Sequence, residues 1–445
     1  MVDKWREVKL GEIAEIYDGP HATPKKTDSG PIFLGISNLS RGLLDLSNTE
    51  HISENDFHRW THRVEPEEGD VVFSYETRLG EAAWIPHGLR CCLGRRMGLL
   101  RARVDLVDPR FLLYAYLGPD FQDTLYSRTV HGSTVDRIPL INMPHFPIVI
   151  PGNIQEQRRI AHILGTLDDK IENNRKTAKT LEAMAQAIFK SWFVDFDPVR
   201  AKMAGESRES ICKRLKLTPE ILDLFPDRLV ASELGEIPEG WGVGTFGDYA
   251  DIVGGSTPST NNSAYWLSGI HSWATPKDLS SLTMPVLLAT ENKITDAGLQ
   301  QVSSRLLPVG TVLLSSRAPI GYLAIAEIPV AINQGFIALK PHNNGYCIFL
   351  LFLIKHNMEE IISRANGSTF LEISKAKFRP IPVVSPAQDI LQSFAKLTMP
   401  LFLRIVSLEK ITLILANGRD ALLPKLISGE IRVPESEHLL KNSEG

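Results

Sequence analysis

Cysteine is scarce in this 445-residue chain: Cys91 and Cys92 are adjacent, and Cys212 and Cys347 stand far away. Four thiols so placed form neither a disulfide framework nor the paired spacing of a zinc site, and a reduced cytoplasm is the expected compartment. Long apolar runs are missing too. The longest, Cys347 to Ile354, is far short of the roughly 20 residues that span a bilayer. The start MVDKWREVKLGEIAEI has no apolar core of signal-peptide length, so neither secretion nor membrane insertion is expected. There is no GxxxxGK[ST] phosphate loop and no HExxH pair, which excludes an encoded ATP-driven motor and a zinc hydrolase of that type. Asp197-Pro198-Val199 and Asp108-Pro109-Arg110 lack the second proline and aromatic of an amino-methyltransferase (D/N)PP(Y/F) loop and read as turns. Glu291-x-Lys293 and Asp168-x-Lys170 have no upstream Pro-Asp of a metal-dependent nuclease and read as solvated charge. The 12 histidines form no ligand pair on one helix face, and no catalytic residue or metal ligand is assigned.

What is present is the composition of a folded globular chain: 43% hydrophobic and 22% charged residues. The length implies two or three domains. A net charge of −4 argues against a simple basic nucleic-acid coater, but the charge is uneven. Residues 151–216 carry 13 Lys/Arg against 9 Asp/Glu, whereas residues 1–150 carry 17 against 21 and residues 217–385 carry 11 against 15. A basic centre between two mildly acidic flanks can follow a phosphate backbone without reading sequence.

The chain also repeats itself. Trp5, Leu10, Gly11, Glu12, Ala14, Glu15, Ile16 and Gly19 fall on Trp241, Phe246, Gly247, Asp248, Ala250, Asp251, Ile252 and Gly255 at an offset of 236. Gly69 to Ser74 falls on Gly310 to Ser315 at an offset of 241, and Gly132-Ser133-Thr134, Ile138, Pro147 and Pro151 fall on Gly367-Ser368-Thr369, Ile373, Pro382 and Pro386 at 235. Each half reads as a mixed domain followed by a long helix. Strands are expected at Asp70 to Ser74, Val312 to Ser315 and Phe146 to Ile150, and helices at Phe111 to Leu117 and Cys347 to Ile362.

The long helices carry heptad seams. Ile160, Leu164, Leu167, Ile171, Asn174, Ala178, Leu181, Ala185, Ile188 and Trp192 alternate steps of four and three. A shift of 234 gives Phe394, Thr398, Leu401, Ile405, Leu408, Thr412, Leu415, Arg419, Leu422 and Leu426. Equivalent units in one chain pair about a two-fold axis, which sets equivalent helices antiparallel. Pro400 and Pro424 are expected to kink or end the second helix locally. The fold class is therefore α+β: two similar mixed α/β domains separated by a pair of long antiparallel coiled-coil helices, with pseudo-two-fold symmetry. The segments are 1–152 (first domain), 153–215 (central helical region), 216–385 (second domain with its leading linker), 386–430 (C-terminal helical region) and 431–445 (tail).

Polar side chains on expected loops supply groups that fit base edges, since Arg pairs with guanine and Asn or Gln with adenine in bidentate geometry. They are Arg78, Arg95, Arg96, Arg128, His131, Ser133 and Thr134 in the first domain, and Lys277, Arg317, Gln334, Asn366, Ser368 and Thr369 in the second.

Longer stretches carry a family resemblance: Leu167-Asp-Asp-Lys-Ile-Glu172, Leu181-Glu-Ala-Met184, Phe189-Lys-Ser-Trp-Phe-Val-Asp-Phe-Asp-Pro198, Ser232 to Trp241, Gly254-Gly-Ser-Thr-Pro258 and Leu422 to Ile431. With these motifs the chain resembles the specificity subunit of a type I restriction-modification system over nearly its whole length. His21-Ala-Thr-Pro24 departs from the pattern where the second half has Gly255-Ser-Thr-Pro258. The resemblance implies a non-catalytic reader of double-stranded DNA, in which each target recognition domain binds one half of a bipartite site and the helices fix the spacer. It also implies two modification subunits that dock on the helical regions, bring S-adenosylmethionine and methylate an adenine flipped from the duplex. Restriction subunits with ATP and Mg would add translocation and cleavage, and this chain itself would hold no cofactor. The aromatic cluster Phe189, Trp192, Phe193 and Phe196 exceeds what one seam hides, so part of it is expected to contact the modification subunit or the neighbouring recognition domain. The rival readings are a self-contained DNA methyltransferase or nuclease with an attached recognition domain, and a helical adaptor for domains that bind no nucleic acid.

Overall fold

A computed structural model describes residues 5–132, 135–367 and 371–433. The chain forms two compact units, residues 1–172 with 413–445 and residues 173–412, and the division falls inside both long helices.

In the first unit the strands Ala14–Asp18, Met97–Ala102, Val71–Ser74 and Ala82–Trp84 pair in that order as an antiparallel sheet. A second sheet sets Lys26–Leu34 between Glu50–Ile52 and Cys91–Leu93, the last pairing being parallel. Trp5–Lys9 pairs with Pro147–Pro151 and closes the domain beside the start of the helix. Val71 to Ser74 is buried on both faces, so it reads as an unbroken apolar run and not an alternating one. Asp108 caps the helix Pro109–Leu117 by accepting from the Phe111 amide at 2.9 Å, and six consecutive residues of that helix, Phe111 to Tyr116, are buried.

The second unit repeats the plan strand for strand. Ala250–Gly254, Phe336–Pro341, Val312–Ser316 and Ile320–Ala326 take the same order, extended by Val286–Leu287. His271–Ala274 lies between Asn292–Ile294 and Val330–Ile332, again with one parallel pairing, and Gly242–Thr245 pairs with Pro382–Ser385. The helix Cys347–His356 matches Pro109–Leu117. Two halves with this degree of likeness are what the sequence offsets require.

Ile154–Phe193 and Gln388–Ile427 are helices of 40 residues each, about 60 Å long at 1.5 Å per residue. Within each unit their segments run antiparallel. In the second unit Phe193 packs on Phe394, with ring centroids 5.1 Å apart, and Glu409 feels the charge of Arg175. In the first unit Asp168 meets Arg419, while Ile160 and Leu164 share a core with Leu426 and Ile427. The expectation for the prolines needs correction: the second helix runs through Pro400 and ends three residues beyond Pro424. Proline removes one amide donor, but Pro400 and Lys396, whose carbonyl loses that donor, are exposed, so water can satisfy the carbonyl. Gly429 closes the helix at a φ of +75°, and a Cβ there would stand 2.3 Å from Trp5 Nε1.

The two seams are not purely apolar. Asn174 and Thr412 are buried, and neither Asn174 Nδ2 nor Thr412 Oγ1 finds a hydrogen-bond partner among the described residues. Asp168 is satisfied: its Oδ1 accepts from Arg419 Nη1 at 2.7 Å and its Oδ2 from the Tyr114 hydroxyl at 2.6 Å. Burial pushes the Tyr114 hydroxyl pKa up, which keeps it a neutral donor. The side chains of Asp168 and Arg419 are only 2% and 9% exposed; Arg419 also pairs with Asp420 at 2.7 Å, so it is the loss of Arg419 that strands a buried charge. Arg419→Leu is therefore expected to lower stability by roughly 3–5 kcal/mol, read from the urea midpoint. The double variant Asp168→Leu/Arg419→Leu should recover most of that loss, and an equally unstable double variant would contradict the account.

Candidate nucleic-acid interface

In each domain the strand that follows the repeated glycine turn ends at an edge where several loops meet. In the first domain this strand is Val71–Ser74. Its exit is pinned by the Tyr75 hydroxyl, which donates to Asp18 Oδ1 at 3.0 Å, and by the Ile138 amide, which donates to the Tyr75 carbonyl at 2.8 Å. Burial raises the Tyr75 pKa, so it stays protonated. Arg96, held at a φ of +70°, places Nε 2.7 Å from Glu76 Oε2. Arg95 beside it is exposed. His131 lies 3.2 Å from Asp136 on a loop that bridges back through Val130 and Arg137. Arg128 is exposed at the end of the helix Pro119–Ser127, two residues before that bridge. Arg78 turns elsewhere, to Glu81 at 3.1 Å and the Ile36 carbonyl. Ser133 and Thr134 lie outside the described residues.

In the second domain Val312–Ser316 exits into Arg317, whose Nη1 lies 3.6 Å from Glu372 Oε2. Asn366 bridges to Glu372 through the backbone and accepts from Lys377 Nζ at 2.6 Å. Gln334 accepts from the Thr257 hydroxyl, and the Ser316 amide donates to the neighbouring Gly335 carbonyl at 2.8 Å. Arg317, Gln334 and Asn366 thus share one edge. Lys277 follows Pro276, which packs against Gly335, and its ammonium pairs with Glu291 at 2.8 Å, which raises its pKa. Ser368 and Thr369 lie outside the described residues.

Part of the charge at these edges is compensated: Arg78, Arg96, His131, Lys277 and Arg317 each face a carboxylate. Ion pairs open to water contribute about 0–1 kcal/mol, so a phosphate or base edge can replace the carboxylate at small cost. Sequence reading passed over His21 and Arg63, which converge on Asp18 at 2.9 and 3.9 Å. His21 is three residues from Asp18, whereas Arg63 is 45 residues from it and that contact has no local signal.

Of the two neighbours expected for the four aromatic residues, the structure shows the recognition domain. Phe189, Trp192, Phe193 and Phe196 are 2–6% exposed and sit inside the core of the second unit. Phe189 packs on Phe349 at 5.8 Å, Trp192 on Phe225 at 5.2 Å and Phe196 on Trp241 at 5.7 Å. The recognition-domain side of the helix takes them up. The exposed apolar side chains on the second helix are Leu397 (38% exposed), Leu403 (55%) and Ile411 (38%) in the second unit, and Leu413 (48%) and Ile414 (69%) in the first.

Among the described residues no group of three His, Cys, Asp or Glu side chains is placed to hold a metal ion. Burial pushes the Cys91 and Cys92 thiols up to about 12, far from a nucleophilic thiolate. No helix among the described residues is long and apolar enough to cross a membrane.

Comparison with known proteins places this geometry. The chain is 27% identical over 406 residues to the type I restriction enzyme HindI specificity subunit of Haemophilus influenzae, covering 82% of this chain and 86% of that one. It is 37% identical over 166 residues to the type I restriction enzyme MjaIX specificity subunit of Methanocaldococcus jannaschii, covering 37% and 38%. The fold resembles the crystal structure of the type I restriction-modification S subunit from M. genitalium, with a TM-score of 0.55, 16% identity and 96% of each chain covered. Residues 2–183 and 238–408 match the type I restriction modification DNA specificity domain. With most of its length matched, and matched in both halves, the chain belongs to the type I restriction modification DNA specificity family.

Proposed function

We propose that the two domains, residues 1–152 and 216–385, each read one half of a bipartite site in double-stranded DNA. The helical regions, 153–215 and 386–430, fix the unread spacer and dock two modification subunits. The observation that carries this reading is the duplication of one loop edge, with paired cations and amide side chains, on two domains joined to antiparallel helices.

On approach to a duplex, phosphates compete with Glu76, Glu81, Glu291 and Glu372 for the cations that those carboxylates hold. Cations released from their carboxylates then position the domain, and Arg95, Arg317, Gln334 and Asn366 are offered to base edges. Centres of half-sites on one face of B-DNA lie about 34 Å apart per helical turn, a distance that helices of 40 residues can govern. We place the modification subunits on the outward side chains of each unit separately, Leu403 and Ile411 in the second and Leu413 and Ile414 in the first. Those subunits bring S-adenosylmethionine and methylate adenine, and restriction subunits bring ATP and Mg. This chain is non-catalytic and acts in the cytoplasm. A self-contained methyltransferase or nuclease has no support in the family match, and an adaptor for other ligands leaves the duplicated edges unexplained.

Two measurements test the reading. Binding of the reconstituted complex to its duplex should weaken steeply with salt, by roughly a thousandfold between 50 and 200 mM if about six phosphates are neutralised; salt-independent binding would contradict it. Deleting one heptad from each helix, residues 171–177 and 405–411, removes roughly 10 Å. Sequencing of modified DNA should then reveal a changed spacer between two unchanged half-sites, and an unchanged spacer would remove the ruler role.

A further inference from the structure

One backbone arrangement recurs in the two domains. In the first, the chain leaving Val71–Ser74 is clasped by a returning loop: the Ile138 amide donates to the Tyr75 carbonyl at 2.8 Å, and Glu76 bridges antiparallel to Arg137. Arg137 and Val130 exchange both backbone hydrogen bonds, at 2.9 and 3.1 Å, and close the loop at its base. In the second domain the Ile373 amide donates to the Ser316 carbonyl at 3.0 Å and Arg317 bridges to Glu372. Glu372 and Asn366 again exchange both bonds, at 2.8 and 2.9 Å. The offsets of 241 and 235 that relate the two halves map Glu76 onto Arg317 and Arg137 onto Glu372.

The charges are therefore inverted across the repeat: the cation stands on the strand exit in one domain and on the returning loop in the other. The acids differ in engagement. Glu372 holds Arg317 at 3.6 Å. Glu76 is taken by Arg96 at 2.7 Å, which leaves Arg137 exposed and without an ion pair among the described residues. The backbone that carries Arg137 is fixed by hydrogen bonds, and the donors of its guanidinium fork match the O6 and N7 acceptors of guanine. A phosphate-binding arginine needs no such fixed base.

We propose that Arg137 is a specificity-determining residue of the first domain, reading a guanine in its half-site, as the counterpart of Arg317 in the second. The inference rests on the reading that each domain recognises one half-site.

The test uses the complex reconstituted from the full chain and its modification subunits, with a duplex library randomised in both half-sites and sequenced after methylation. The half-site of the first domain is identified beforehand by replacing residues 1–152. Arg137→Ala should erase the preference at one base pair of that half-site, by roughly 5- to 150-fold, and leave the other half-site untouched. Arg137→Lys should keep overall affinity yet lose the same preference, because a point charge lacks the fork. A uniform loss over all sequences with Arg137→Ala, rescued by Arg137→Lys, would make Arg137 a phosphate contact and overturn the proposal, as would no change in either variant. Arg137 is exposed, so its variants should melt as the parent does. A parent complex that selects no bipartite sequence would instead overturn the half-site reading itself.

Discussion

The structure depends on one packing constraint: two helices of 40 residues each carry a seam too apolar to leave in water. A helix that long is held by its buried face and not by propensity. Each seam's natural partner is its own repeat, and antiparallel pairing lets both be covered within one chain. The compact units draw their cores from this pairing. Leu164, Leu426 and Ile427 join the core of the first, and Phe189, Trp192 and Phe394 join that of the second. Domain and stalk are accordingly one folded object in each unit. In the first they are tied by the Tyr114–Asp168–Arg419 network, and in the second by interlocking aromatic rings.

That difference bears on how the recognition edges are carried. A ring cluster is tolerant in direction but demanding in volume, whereas a buried ion pair is demanding in both geometry and charge. Above these joints the two domains keep the same strand order while the loops at their edges have diverged in charge. The scaffold thus holds the backbone of the reading edge constant, and side chains such as Glu76, Arg137, Arg317 and Glu372 vary upon it. The pairing of part of the edge cations with carboxylates lowers the charge that each edge presents, which fits a surface that must release as well as hold a polyanion.

Much of this was legible in the sequence because duplication writes its signal twice. Gly69 to Ser74 and Gly310 to Ser315 mark the same turn and strand, and the heptad positions from Ile160 to Trp192 become buried or half-buried as their spacing requires. Three things were not legible. Four aromatic residues between Phe189 and Phe196 signal burial, but periodicity does not name the neighbour, and the answer lay in Phe349 and Trp241, well over a hundred or nearly fifty residues away. Pro400 reads as a helix breaker, yet its face is exposed and the seam packing carries the helix through. The meeting of Arg63 with Asp18 joins positions 45 residues apart. Periodicity reports a residue's own element and is silent on what that element meets.

The Asp168–Arg419 pair breaks the symmetry that the duplication would otherwise give the seam. A shift of 234 carries Asp168 to Phe402 and Arg419 to Ala185, both apolar positions buried in the second unit. Two copies of the amino-terminal half, joined as twins, would press Asp168 against Ala185, and two copies of the other half would press Arg419 against Phe402. The first union entombs a carboxylate with no cation, and the second sets a guanidinium, left with Asp420 alone, against a phenyl ring. The ancestral freedom of identical halves to marry one another has thus been surrendered, and each half is now fitted to its own sibling.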